Sequence, residues 1–219
     1  MQKNNNKNKR ISPNVIAVIG TILTLIGGFF LSYNYVQKKK VIAFDYMANI
    51  FYDEQSKENV IENNEEKNKK EAKEEQNNDK NDEINYDYIG YLEIPKINLY
   101  KGFVDVNSPN NNVETNIYIA GGSSYPDVEN GNLIIAAHSG SGWKAFFNDL
   151  YKLKIGNKAI IKYNGKKYNY TISNIYKQQK KGTIAIYRNY KKTTLTLVTC
   201  TNNDNTSQTV YIAELESIE

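Results

Sequence analysis

The chain has 219 residues, with one cysteine and one histidine. Its net charge of +4 conceals three unlike zones: residues 1–40 carry seven Lys/Arg and no acid, residues 41–83 carry six Lys and thirteen Asp/Glu, and residues 84–219 carry fifteen Lys/Arg and eleven Asp/Glu. One cysteine excludes an internal disulfide and a cysteine-rich metal site, and no zone has the basic stripe with interleaved aromatics that nucleic-acid binding requires.

Residues 15–32 read VIAVIGTILTLIGGFFLS, eighteen residues without a charge. As a helix they rise about 27 Å, close to the thickness of bilayer hydrocarbon. A transmembrane signal-anchor over residues 15–36 follows, with residues 1–14 as a cytoplasmic tail. Lys3, Lys7, Lys9 and Arg10 precede it and acid-rich sequence lies beyond, which favours an amino terminus inside and the rest outside. A cleaved signal peptide is the competing reading. No small-x-small site follows Ser32, and Lys38-Lys39-Lys40 makes a poor exit from one.

Residues 41–51 hold scattered apolar side chains compatible with a continuing helix. From 53 to 83 almost nothing is apolar, so little surface can be buried to offset ordering entropy. Residues 37–83 are therefore expected to be a charged extracellular tether, with a solvated Glu/Lys helix as the alternative for its polar part.

The character changes near Tyr88, and residues 84–219 are long enough for one core. IGYLEIPKINL, from Ile89, reads as a strand with Pro95 at an edge or bulge. Further strands are expected over 116–120, 132–137, 158–163, 167–176, 194–199 and 209–215. The pair 158–163 and 167–176 flanks Asn164-Gly165, a hairpin signal. Residues 143–153, WKAFFNDLYKL, have helical apolar spacing and end before Gly156. Short strands with frequent turns point to a mostly β, small closed barrel with short helices.

Two residues stand out for chemistry. His138 follows the apolar run LIIAA, and Cys200 ends the run TLTLVT. Each sits where a strand enters a loop, the place where a rigid scaffold presents reactive groups. A thiol is a nucleophile as its thiolate, and an imidazolium nearby stabilises that form. The plainer alternatives are a small buried thiol and a hydrogen-bonded structural histidine. A metal site has little to build on, since one His and one Cys leave only carboxylates to complete it. The chain has no GxSxG elbow, P-loop or dinucleotide fingerprint.

TLVTC resembles the active-site signature of sortases, the cysteine transpeptidases of Gram-positive bacteria. IGYLEIPKINL is similar to their opening strand. NLIIAAHSGSGWKAFFNDLYKLKIGNKAIIKYNGKKYNYTI resembles the region of their catalytic histidine. The resemblance covers most of residues 88–219, and the membrane anchor with spacer fits it. It implies an eight-stranded barrel in which Cys200 is the nucleophile and His138 the general acid/base. Ala120, Ala136, Val198 and Thr199 would line a groove for an LPxTG-like sorting signal. It implies partners too: secreted proteins bearing that signal, and an amine acceptor from a peptidoglycan precursor or a pilin. It implies no cofactor and leaves a Ca²⁺ requirement open.

One departure matters. Where the family carries an arginine on the strand after the cysteine, this chain has Gln208, and its two arginines are Arg10 and Arg188. Gln208 then takes the third catalytic position, with Arg188 as the other possible donor. Losing a charged oxyanion donor costs on the order of 3 kcal/mol in other enzymes. A non-catalytic groove-bearing module and a thioester hydrolase are the alternative functions. The chain has no Asp-Pro-aromatic lid motif, and about eighteen residues, 177–194, stand where one class has a long helical insertion. The class A-like and class D-like groups are what this leaves.

Overall fold

The computed structural model describes residues 12–62, 87–140 and 142–219. Most of the expected cytoplasmic tail, residues 63–83 of the expected tether and residues 84–86 of the expected barrel domain lie outside these.

Helix α1 spans Pro13–Glu62. Pro13 stands at its first turn, where a missing N–H costs nothing, and the Ser12 carbonyl accepts from Val15 N at 3.0 Å. Inside the apolar stretch the hydroxyls of Thr21, Thr24 and Ser32 fold back onto the carbonyls of Ala17, Gly20 and Gly28. Every polar group there is thereby satisfied within the helix, as a lipid environment demands. Within Pro13–Met47, α1 is long and apolar enough to cross a membrane, and its apolar stretch, with mean hydropathy 2.3, has no cover from the other described residues. The helix does not stop at residue 36. It runs on through what the composition suggested was tether, and Asp45 is buried against the barrel.

Eight strands follow: β1 Gly90–Ile94, β2 Leu99–Phe103, β3 Tyr118–Ile119, β4 Asn132–Ala136, β5 Lys158–Tyr163, β6 Lys166–Gln179, β7 Thr194–Cys200 and β8 Ser207–Ile218. They form one nearly closed sheet in the order β2-β1-β5-β6-β8-β7-β4-β3. Alternate residues point inward. Leu92, Ile135, Ile161, Tyr170, Leu197 and Tyr211 all belong to the main core, and each is at most 3% exposed. At the seam, the Asn111 carboxamide accepts from Ile119 N at 2.7 Å and donates to Ile119 O at 2.9 Å. A side chain thus occupies the hydrogen-bonding edge of β3 that a ninth strand would use.

Two expectations need correcting. IGYLEIPKINL is not one strand: Pro95 opens a 3-10 turn, Pro95–Ile97, and Asn98 in the left-handed region (φ 50°) reverses the chain into β2. A proline with fixed φ and no N–H suits the first position of that turn better than the middle of a ladder. Residues 143–153 form turns and one short 3-10 segment, Leu150–Lys152, rather than an α-helix. Phe147 N bonds to His138 O at 3.0 Å instead of to a carbonyl one helical turn back, and Phe147 and Leu150 are both drawn fully into the core. Tertiary burial overrides the helical spacing. The hairpin at Asn164-Gly165 forms with both residues at positive φ (49° and 70°), and β6 outruns its expected end with two register shifts against β8.

Candidate active site

The sheet contains one parallel pair, β4 with β7, in register from Asn132↔Thr194 to Ala136↔Val198. Parallel strands bring like ends together. Two positions past the last pair, His138 stands abreast of Cys200 on the neighbouring strand, about 5 Å away between backbones. Three bonds staple these ends. Ala137 N donates to Val198 O (3.2 Å), Thr199 Oγ1 to Ala137 O (2.9 Å) and Ser139 Oγ to Cys200 O (3.0 Å).

On the other side of β7, Cys200 pairs with Gln208 of β8. The flanking pair is hydrogen-bonded, with Thr201 N donating to Ser207 O at 3.1 Å. Cys200 and Gln208 therefore form the non-hydrogen-bonded pair, whose side chains approach most closely, with Cβ atoms about 5 Å apart. Gln208 in turn pairs with Gln178 of β6. His138, Cys200, Gln208 and Gln178 thus lie in one row across four strands, on the face away from the main core. Cys200 is a free thiol, partly exposed.

Below that row the same face is apolar. Val198, Val210 and Ile212 are buried, Ile134, Ala136 and Tyr176 pack beside them, and Ile186 covers them from the β6–β7 connection. That connection is strapped down. Tyr176 Oη donates to Ala185 O (2.7 Å) and accepts from Tyr187 N (3.0 Å), while Gln178 Oε1 accepts from Ala185 N (3.0 Å). Ala120 extends the face beyond β4, its N bonded to Ile134 O at 2.9 Å.

The substrate-lining residues expected from sequence divide here. Ala120, Ala136 and Val198 share the face of Cys200. Thr199 alternates to the opposite face, is 7% exposed, and uses its hydroxyl to join β7 to β4. Arg188 is remote. Its Nη1 donates to Asn130 O (3.0 Å), Gly131 O (3.4 Å), Lys192 O (3.3 Å) and Thr194 Oγ1 (3.4 Å), at the start of β7. Cys200 is at the end of that 7-residue strand, about 20 Å away. Of the two arginine substitutes considered, only Gln208 is beside the thiol.

Sequence reasoning passed over Glu114, whose Oε1 lies 3.1 Å from His138 Nε2. It comes from the β2–β3 connection, and no spacing ties it to the histidine. Gly140 has φ 142°, open to glycine and strained for other residues, and its N bonds to Asn148 Oδ1 at 3.2 Å. After Cys200, the Asp204 carboxylate collects Ser207 Oγ, Thr206 Oγ1 and Thr206 N. The Ser207 hydroxyl above all, then Thr206, holds that carboxyl well below its ordinary range. Among the described residues, no three His, Cys, Asp or Glu side chains converge as a metal site.

The Sortase domain family model matches residues 92–216, more than half of the chain. The chain belongs to the sortase family. A Clostridium perfringens Sortase D5 transpeptidase is similar at 27% identity, over 60% of this chain and 80% of that one, with TM-score 0.51. Streptococcus pneumoniae sortase C matches at 23% identity, over 59% and 69%, with TM-score 0.53. Listeria monocytogenes sortase A matches at 20% identity, over 60% and 89%, with TM-score 0.50. These span classes A, C and D and agree on the fold. No curated protein sequence matches the chain significantly. In general terms, then, the barrel is that of a transpeptidase.

Proposed function

We propose that this is a membrane-anchored cysteine transpeptidase that cleaves an LPxTG-like sorting signal and transfers the protein, through the Thr acyl group left at the cut, to an amine. The observation that carries the reading is the parallel β4–β7 pair, which brings His138 and Cys200 to neighbouring strand ends beside an apolar face.

The Cys200 thiolate attacks the carbonyl carbon between Thr and Gly of the signal. The C–N bond breaks, the His138 imidazolium gives its proton to the departing amine, and a thioester remains on Sγ. An amine from a peptidoglycan precursor or a pilin lysine then attacks the thioester. It yields its proton to His138, forms the new amide and releases the thiolate. Gln208, across from the thiol, offers a neutral N–H to the oxyanion that forms twice along this path. No cofactor has a role in these steps. Residues 15–36 of α1 anchor the enzyme, with the amino terminus inside and the barrel outside.

A second reading has one observation in its favour. Gln208 brings no charge, and a barrel that binds signals without cutting them needs none. Incubating the full chain in micelles with LPxTG-like peptides and an amine, followed by mass spectrometry, separates the readings. The expected result is a thioester adduct on Cys200 and a ligated product, none with Cys200→Ala, and roughly 10²–10⁴-fold slower adduct formation with His138→Ala. Peptide binding without any adduct would establish the binding module, and an adduct resolved only by water would establish a hydrolase.

A further inference from the structure

Among the described ion pairs, one is withdrawn from solvent. Lys101 Nζ, in the middle of β2, lies 2.9 and 3.2 Å from the two carboxylate oxygens of Asp45 on α1, and the two side chains are only 4% and 2% exposed. Tyr88 completes the cluster: its hydroxyl donates to Asp45 Oδ1 at 3.0 Å and accepts from Lys101 Nζ at 2.9 Å. Burial pushes the Lys101 ammonium below its ordinary value, and Asp45 pulls it back up. Two charges leave water together only when each recovers its lost hydration bonds from the other and from neighbours. The helix is therefore seated on the barrel by specific chemistry.

The seat reaches toward the catalytic end. The Lys101 ammonium also lies 4.7 Å over the Phe146 ring. Phe146 belongs to the loop after His138, and its neighbour Phe147 donates its N–H to His138 O at 3.0 Å. A cavity of about 330 Å³ lies between helix and loop, lined by Ile42, Asp45, Leu99, Gly140, Trp143 and Asn148 among others. The loop thus has room to shift, and the Lys101–Phe146 contact is one of the ties that restrain it. Asp45 is nine residues beyond the end of the proposed span, about 14 Å along the helix, so the seat is at the membrane surface.

We infer that residues 38–47 of α1 are a positioning element for His138: Asp45 fixes Lys101, Lys101 holds Phe146, and the loop so held sets the histidine against Cys200. The inference rests on the catalytic reading of His138. It makes the membrane-proximal helix part of the working enzyme rather than a leash.

The test uses the full chain in lipid nanodiscs, comparing the native protein with Asp45→Leu, Lys101→Met and the double variant. Hydrogen exchange is followed in residues 38–47 and 139–149, and acylation of Cys200 by a signal peptide is followed by mass spectrometry. Asp45→Leu leaves a buried ammonium without its carboxylate. Exchange should rise in both segments, and the saturating acylation rate should fall about tenfold while the peptide concentration at half-saturation holds. The double variant, with an apolar pair in the same seat and a thioether in place of the ammonium against the Phe146 ring, should recover protection and rate. Helix release with an unchanged 139–149 loop would overturn the inference, as would a double variant that regains its fold but not its rate. If even the native protein fails to acylate, the catalytic reading fails by itself. The exchange data then decide the coupling: a loop that follows Asp45 upholds it, and an indifferent loop overturns it.

Discussion

Strands β4 and β7 begin and end in opposite kinds of polar chemistry. At their start, Arg188 gives one nitrogen to three backbone carbonyls and a threonine hydroxyl and lies 4.5 Å over the Tyr190 ring. The Asn132 carboxamide there accepts from both Thr194 and Thr196. At their end, about 20 Å on, the residues in line are His138, Cys200 and Gln208, with Glu114 bridging to the histidine. One end satisfies its own acceptors and closes the structure. The other leaves a thiol partly exposed with a neutral amide beside it. The barrel's one guanidinium sits where strands need holding together, not where the family keeps a charge for chemistry.

The largest effect expected from breaking this contrast is at the open end. Gln208→Arg returns a charged donor to the side of Cys200 and should speed acylation on the order of 10²-fold, while Gln208→Ala should slow it. Stopped-flow or quenched mass spectrometry on the full chain measures both. If neither substitution moves the rate, the position opposite the thiol has no part in stabilising the oxyanion.

The closed end should respond in stability rather than chemistry. Arg188→Met removes the donor to four acceptors at a half-exposed site and should lower unfolding free energy by about 1–2 kcal/mol, with acylation unchanged. Denaturant unfolding and the acylation assay on the same preparation decide it. A large loss of rate with stability intact would place Arg188 in the site after all.

The smallest expected effect concerns the turn that follows Cys200. The Asp204 carboxyl is held below its unfolded value of about 4, so its contribution is present above that pH and is lost as pH falls through the folded value. Native protein should lose thermal stability progressively in acid below about pH 4, and Asp204→Asn should show a shallower fall across the same range. Parallel acid profiles from native and variant would contradict the assignment.

Much of this was legible in the residues. The strand cores, the Asn164-Gly165 hairpin and the strand-end placement of His138 and Cys200 follow from alternation, turn chemistry and the apolar runs that precede them. Thr199 misleads because a strand's period of two sends it to the face opposite its neighbour Cys200, which a motif read as a string cannot express. The apolar spacing over 143–153 misleads because turns can bury Phe147 and Leu150 as well as a helix can. Glu114, Gln178 and Ile186 carry no signal, since segments separated from Cys200 by many residues bring them to the site.

By itself, the sequence determined the local matters: an uncharged helix able to span a bilayer, short strands with their inward residues, and a thiol and an imidazole each at a strand end. These depend on propensity, periodicity and composition, which act over a few neighbours. Only the tertiary structure decided the rest. It decided that β4 and β7 run parallel, and so that His138 and Cys200 come to neighbouring strand ends, and that Gln208 stands opposite the thiol while Arg188 is remote. It also decided that Asp45, in an acid-rich stretch that reads as tether, meets Lys101 out of water 56 residues later in the chain. Pairings between distant segments are selected by the burial and hydrogen bonding of the whole barrel, and no short window of residues contains that information.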